Sequence, residues 1–327
     1  MSVITKPKLI VITGATAAGK SAFIYTHLRS LPLSIINADS RQVYRGIAIA
    51  AASPTAEEEL LFPHALYNFL PFDANFSAGE FLRVAEREIQ KAHEANKVPL
   101  ICGGTYFYIH ALFHGLLPSM EIPPSITQEV AALSDTAAYA KLLQLDAKAA
   151  EQNHPHNAVR VRRALSLCLA HGGPISALAK VGGIYNDYDI QLFIFDAPRA
   201  LLKERAITRS QKMLDAGLIR EIEQLFSESA RARKETAWQK IPALTGIGIR
   251  EFFEMYEKTE KTPQQLSSQE IHTIKENIIQ NTMRLVKRQQ TWFRNAAPKP
   301  KDTKIVDPSF EYAHIATLVK EFILPAS

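Results

Sequence analysis

Residues Gly14–Ser21 read GATAAGKS and follow directly on the apolar run Leu9–Thr13, LIVIT. Glycine, four residues, then Gly-Lys-Ser, set between a β-branched run and the start of a helix, is the pattern of a phosphate cradle. The glycines let the backbone turn tightly, successive amides point inward, and the helix N-terminus adds its positive dipole end. Gly14, Ala15, Thr16, Ala17, Ala18 and Gly19 would form the cradle. Lys20 would neutralise phosphate oxygens. The Ser21 hydroxyl would be the protein's ligand to a magnesium ion, which keeps waters and substrate oxygens as its other ligands. The loop alone does not name its ligand: a nucleoside triphosphate and any diphosphate ester both fit.

A strand feeding such a loop constrains the fold. Ser34–Asn37, Val98–Cys102 and Gln191–Phe195 are further short apolar runs ending in turn residues, and each reads as a parallel strand buried on both faces. Helical patterns such as Ala78–Asn96 lie between them. The alternation predicts an α/β doubly wound parallel sheet. It stops after Gly115, the text from Pro118 to Tyr188 is helical, and the strand pattern resumes at Gln191. We therefore expect a core of residues 1–117 and 189–327 with an α-helical insertion at 118–188. The longest helix is expected over Thr262–Arg294, with Pro263 in its first turn and a core stripe of Ile271, Ile274, Ile278, Leu285 and Trp292. Residues 296–308 read as a loop.

The formal net charge is +5 and the pI about 9.0. That excess suits a nucleic acid or a phosphorylated substrate without requiring either. Cys102 and Cys168 have no metal-ligand spacing and sit in apolar runs, so buried free thiols in a reducing compartment are expected. There is no signal-peptide pattern and no apolar stretch long enough to span a bilayer, so the expected location is the cytoplasm and no membrane partner is expected.

Several side chains have two readings from position alone. Asp39, in Asn37–Gly46 (NADSRQVYRG), ends a parallel strand near the ligand crevice and is either a base beside the phosphate loop or a turn-capping aspartate. Thr105, after Gly103 and Gly104, caps the next helix or faces the site. Arg205 and Arg209 share a helical face, as ligands or as solvated charges. Asp196, ending the LFIF run, is a candidate second magnesium-holding acid in a kinase.

The ordered set of motifs resembles bacterial tRNA dimethylallyltransferases. It comprises Gly14–Ser21, NADSRQVYRG, Pro63-His64, ICGGTYFYI at Ile101–Ile109 and VRVRRAL at Val159–Leu165. It continues with RSQKMLDAG at Arg209–Gly217, IGIRE at Ile247–Glu251 and KRQQTWFRN at Lys287–Asn295, and so spans nearly the whole chain. The resemblance implies a P-loop NTPase-like sheet whose phosphate loop holds dimethylallyl diphosphate with magnesium. The acceptor it implies is the exocyclic amine of the adenosine 3′ of the anticodon in tRNA. Asp39 matches the general base. Lys20, magnesium at Ser21 and Arg209 match the groups on the leaving diphosphate. Thr105 matches a hydrogen bond in the acceptor site, and Ser40, Arg41 and Gln42 are expected with Asp39 and Thr105 against the tRNA.

A base inside a stacked loop must be flipped outward to reach such a site. Phosphate contacts would then hold the anticodon stem-loop, from Arg160, Arg162 and Arg163 in the insertion and from Arg284, Lys287 and Arg288 on the C-terminal helix. A monomer is expected. The chain departs from the family pattern at Ala15 (proline), Ser53 (lysine), Asn157 (aspartate), Ile249 (tyrosine) and Met283 (arginine), which touches RNA-contact positions more than the chemistry. The rival readings are a small-molecule kinase or hydrolase, a prenyltransferase acting on free adenine nucleotides, and a non-enzymatic RNA-binding protein. The kinase leaves DSRQVY, GGT and TWFRN unexplained, the nucleotide enzyme has no use for two basic helices, and a mere binder has no use for Asp39 beside a complete phosphate loop.

Overall fold

The computed structural model describes residues 6–295, 303–307 and 311–324. Six strands form one sheet: β1 (Lys8–Gly14), β2 (Leu33–Asn37), β3 (His64–Ala65), β4 (Val98–Gly103), β5 (Asp189–Phe195) and β6 (Lys304–Val306). Their order is β3-β2-β4-β1-β5-β6 and every pairing is parallel. β1, β2, β4 and β5 are the four runs read from the sequence. Each is β-branched and apolar because helices cover both faces of a parallel sheet. β6 corrects the loop expected at 296–308, of which residues 296–302 and 308 lie outside the described residues. It is a three-residue edge strand with two exposed residues, so it carries no apolar run.

From central β1 the chain moves to β2, β3 and β4 on one side and later to β5 and β6 on the other. A ligand crevice opens beyond the carboxyl ends of the strands at such a reversal. The register pairs Thr13 with Gly103, Gly14 with Phe195 and Asn37 with Cys102, which brings four strand ends level there. Gly14 is required: its φ is +135°, and a Cβ would lie 2.0 Å from the Phe195 carbonyl oxygen.

The chain divides into two compact units. One comprises Met1–Leu112 and Tyr185–Ser327, the other Phe113–Ile184. In the first unit, Ile10, Ile12, Phe23, Phe193 and Phe195 lie in the core at the sheet. A second apolar cluster joins the Leu218–Glu228, Arg250–Thr259 and Ser268–Asn295 helices. The long helix starts at Ser268, six residues later than Thr262. Pro263 belongs to a separate 3₁₀ turn, Pro263–Gln265. The helix is started by a capping box, in which the Ser267 hydroxyl accepts the Glu270 amide (3.3 Å) and Glu270 accepts the Ser267 amide (2.7 Å). Its buried side carries Ile274, Ile278, Met283, Val286 and Phe293, while Trp292 is 36% exposed. The expected stripe therefore drifts off the core at Leu285 and Trp292.

The second unit is helical: Pro124–Ala132, Asp135–Leu145, Ala147–Glu151 and Ala158–His171, then a 3₁₀ turn at Ile175–Ala177. It has its own core of Val130, Leu142, Val161, Leu165 and Cys168 among others.

Candidate active site

The phosphate loop leaves β1 at Gly14 and enters the Lys20–His27 helix through Gly19, which is in the left-handed region. Ala17 is also left-handed (φ 63°), a conformation that costs an alanine about 1 kcal/mol. The fold holds it there from outside the loop. The Thr16 amide donates to Gln289 Oε1 (2.8 Å), and Arg209 Nη1 donates to Thr16 Oγ1 (3.1 Å). Arg205 Nη1 donates to the Ala18 carbonyl (3.2 Å) and the Tyr312 hydroxyl to the Gly19 carbonyl (3.3 Å). Lys20 folds back over the loop, its ammonium donating to the carbonyls of Gly14 (3.1 Å) and Ala15 (2.8 Å).

Opposite the loop, the end of β2 is locked by side chains. Asn37 accepts the Asp39 amide (2.7 Å) and donates to the carbonyls of Asp39 (3.0 Å) and Leu66 (2.9 Å). Asp39 Oδ1 accepts the Arg41 amide (2.8 Å), which leaves Oδ2 on the side of Gly104. Thr105 Oγ1 accepts the Ser40 amide (2.9 Å), and the Thr105 amide donates to the Ala38 carbonyl (3.1 Å). The Thr105 hydroxyl thus braces the Asp39 segment, with its own proton left to donate.

One cavity of about 660 Å³ joins the two sides. Asp39, Lys20, Ser21, Arg205, Arg209 and Lys212 line it, with apolar wall from Ala48, Ile49, Pro54 and Met213. The wall is anchored by Glu221, which accepts the amides of Ile49 and Ala50 at 2.8 Å each. Burial lowers the Lys20 pKa, against the raising effect of the Cys102 and Asp39 charges. Burial also lowers that of Arg209, opposed by Asp39. Burial pushes the Cys102 thiol, on the cavity wall, up to about 11. Four cations, Lys20, Arg205, Arg209 and Lys212, share the crevice with the Asp39 and Glu58 carboxylates, an arrangement that suits a leaving diphosphate opposite a proton acceptor.

Residues 42–296 match the model of a family described as IPP transferase. This chain belongs to the IPP transferase family. A relative named tRNA dimethylallyltransferase, from Synechococcus sp. (strain JA-3-3Ab), is 33% identical and matches over 88% of this chain and 80% of its own. Another of that name, from Geobacter sulfurreducens, is 32% identical over 97% of both. Among solved structures, the tRNA isopentenylpyrophosphate transferase of Bacillus halodurans is similar with a TM-score of 0.66, at 28% identity and 97% coverage of both chains. A eukaryotic dimethylallyltransferase, described as acting on tRNA, shares the fold with a TM-score of 0.77. Its identity is 21%, over 97% of this chain and 79% of that one. The sheet is thus the P-loop NTPase-like one of the IPP transferases, and the chain is a prenyltransferase.

Other expected residues of this IPP transferase sit differently. Arg41 donates from Nη1 to the Pro242 carbonyl, and Gln42 Nε2 to the carbonyls of Ala52 (2.7 Å) and Ala51 (3.3 Å). Both side chains brace the fold, and Gln42 also lines the cavity. Arg162 is likewise engaged, with the carbonyls of Val130 (2.6 Å) and Leu133 (2.8 Å) and with Asp135 (2.6 Å). It ties the insertion's own helices together, whereas Arg160 and Arg163 are exposed on the same helix. Arg284, Lys287 and Arg288 are exposed on the long helix, with Arg284 Nη1 donating to Asn281 (3.1 Å). Asp196 accepts Gln290 Nε2 (2.7 Å) and the Ala197 amide (3.0 Å) and is not on the cavity wall, which disfavours its use as a kinase's second metal acid. Sequence reasoning missed Gln289, Glu221 and Lys212. Lys212 had a signal in the helical spacing of 205, 209 and 212 and in the RSQKMLDAG motif, and Gln289 lies within KRQQTWFRN, whereas Glu221 had none.

Proposed function

We propose that this protein transfers the dimethylallyl group of dimethylallyl diphosphate to the exocyclic amine of the adenosine 3′ of the anticodon in tRNA. The phosphate loop, with Lys20 and Arg209, holds the diphosphate. Asp39 accepts the amine proton as the nitrogen–carbon bond forms and the carbon–oxygen bond to the diphosphate breaks, the electron pair leaving with the diphosphate. An adenine amine is a poor nucleophile because its lone pair is delocalised into the ring, and a positioned base typically contributes ~10²–10⁴-fold. Thr105 donates a hydrogen bond in the acceptor pocket.

Among the described residues no group of three or more His, Cys, Asp or Glu side chains forms a metal cage. The Ser21 hydroxyl, which lines the cavity beside the phosphate loop, is a hard oxygen donor of the kind that suits magnesium arriving on a diphosphate. Ser21 would hold the ion, which would supply charge neutralisation to the leaving group.

The exposed Arg160 and Arg163 of the insertion, and Arg284, Lys287 and Arg288 of the long helix, contact phosphates of the stem-loop. The enzyme acts as a monomer in the cytoplasm. No helix among the described residues is long and apolar enough to cross a membrane.

The observation that carries this reading is the single cavity in which Asp39 faces the phosphate loop, Lys20 and Arg209. The test is transfer of label from dimethylallyl diphosphate, with magnesium, to unmodified tRNA and to free AMP. Label in the anticodon-loop adenosine of tRNA alone is expected. Label in AMP alone would move the protein to nucleotide prenylation. ATP turnover with no label in either would make the loop a kinase or hydrolase site.

A further inference from the structure

Gln289 is a buried polar side chain on the Ser268–Asn295 helix, and no step of the proposed reaction uses it. Its amide bridges two backbones. Oε1 accepts the Thr16 amide at 2.8 Å, and Nε2 donates to the Gly104 carbonyl at 2.9 Å. Thr16 is the third residue of the phosphate loop. Gly104 precedes Thr105, whose hydroxyl receives the Ser40 amide beside Asp39. One planar amide therefore sets the spacing between the segment expected to hold the leaving group and the segment that carries the base.

Four observations bear on this link. The Thr16 amide is held from outside the loop by Gln289, whereas the Ala18 amide is bonded within it, to the Ala15 carbonyl (3.2 Å). Thr16 is also gripped at its hydroxyl by Arg209 (3.1 Å), so it is held by both its amide and its side chain. Gly104 is the residue that admits the amide, because a Cβ there would lie 2.6 Å from Gln289 Nε2. The next contacts of that Cβ, with the Gly14 carbonyl at 3.5 Å and Asp39 Oδ2 at 3.8 Å, are ordinary. On the same helix, Lys287 and Arg288 are exposed while Val286 and Phe293 are buried. The helix that offers the basic face thus also carries the bridge.

We propose that Gln289 is a positioning residue that holds the phosphate loop and the Asp39–Thr105 acceptor segment at the separation required for in-line transfer. This rests on the function proposed above. In-line displacement needs the amine, the migrating carbon and the leaving oxygen aligned, and a misplacement of about 1 Å costs on the order of 10²-fold in rate. Removing the amide frees the loop from its neighbour and leaves the half-buried Thr16 amide and the buried Gly104 carbonyl without that partner.

The experiment uses the full-length enzyme with the variants Gln289→Ala, Gln289→Met and Gly104→Ala and the double variant Gly104→Ala/Gln289→Ala. It reads kcat and KM for dimethylallyl diphosphate, Kd for the anticodon stem-loop, and Kd for inorganic pyrophosphate without RNA. Gln289→Ala and the near-isosteric Gln289→Met are expected to lower kcat/KM for the diphosphate about 10- to 100-fold. Both should weaken pyrophosphate binding while leaving the stem-loop Kd within about threefold. Gly104→Ala should produce the same pattern by displacing the amide, and should cost little further in the Gln289→Ala background, where its Cβ has room.

Additive losses in the double variant, or equal losses in stem-loop and pyrophosphate binding that track thermal stability, would overturn the proposal in favour of a merely structural glutamine. Wild-type kinetics in both Gln289 variants would also overturn it. A wild-type enzyme that transfers nothing to tRNA would instead sink the proposed function, and the pyrophosphate arm would still report whether Gln289 sets the loop.

Discussion

Asn37 holds Asp39 by its backbone on both sides, accepting its amide at 2.7 Å and donating to its carbonyl at 3.0 Å. The Asp39 backbone is thereby fixed by a residue that does not line the cavity. Asp39→Ala is expected to lower kcat ~10²–10⁴-fold, the usual worth of a general base, with the stem-loop Kd nearly unchanged. Asn37→Ala should lower kcat by less, with pyrophosphate affinity retained. Single-turnover rates and filter binding measure both. Equal loss of turnover and RNA binding in Asp39→Ala would make that residue structural.

Lys20 gives a pH dependence. Burial lowers its pKa, so its charge is lost at a lower pH than the ordinary 10.5 of a lysine. The diphosphate needs the charged form. The kcat/KM for dimethylallyl diphosphate, which reports the free enzyme, is therefore expected to fall on an alkaline limb below that value. Lys20→Arg, charged throughout, should lose the limb while retaining some activity. A limb that persists unchanged in Lys20→Arg would assign it to another group.

The basic residues of the insertion separate by their surroundings. Arg163, exposed, should act on RNA alone: Arg163→Glu is expected to weaken stem-loop binding most at low salt, with the effect shrinking as salt rises. Arg162 is bound to two carbonyls and Asp135. Arg162→Ala should instead destabilise residues 113–184 by about 1–3 kcal/mol, seen as faster amide exchange confined to that unit. No loss of binding in Arg163→Glu at low salt would remove that residue from the interface.

The difference between those two arginines marks what was legible in the sequence. The four long strands, the phosphate loop and the helical insertion all show in local pattern, because each depends on periodicity or on residues close in the chain. The functions of Arg41, Gln42 and Arg162 do not. Their partners are backbone carbonyls 9 to 201 positions away, which a residue type cannot announce. Gln289 is hidden for the same reason, its partners being 273 and 185 positions away. β3 and β6, two and three residues long, are too short to set up an alternation and exist only because a neighbouring strand offers an edge.

The start of the long helix can be tested through Glu270. Hydrogen bonds from the Lys261 ammonium, the Ser267 amide and the Ser267 hydroxyl hold its carboxyl down to about 2. A depressed carboxyl contributes stability that is present above its unfolded pKa, near 4.5, and is lost as the pH falls toward 2. Glu270→Gln is therefore expected to melt below the wild type at pH 7, with the gap closing between about pH 4.5 and 2. A gap independent of pH would mean that the charge is not what starts the helix.

Tyr312 and Gln289 have a bearing on how the enzyme is made. During synthesis the ribosome delivers the phosphate loop 273 residues before Gln289 and 293 residues before Tyr312. Until those residues have emerged and docked, the Thr16 amide and the Gly19 carbonyl lack the partners that shape the cradle. A half-made chain carries the motif without the site, and such distant contacts are the slow ones in folding. The order of synthesis thus puts the loop's sequence in place long before the contacts that hold its shape.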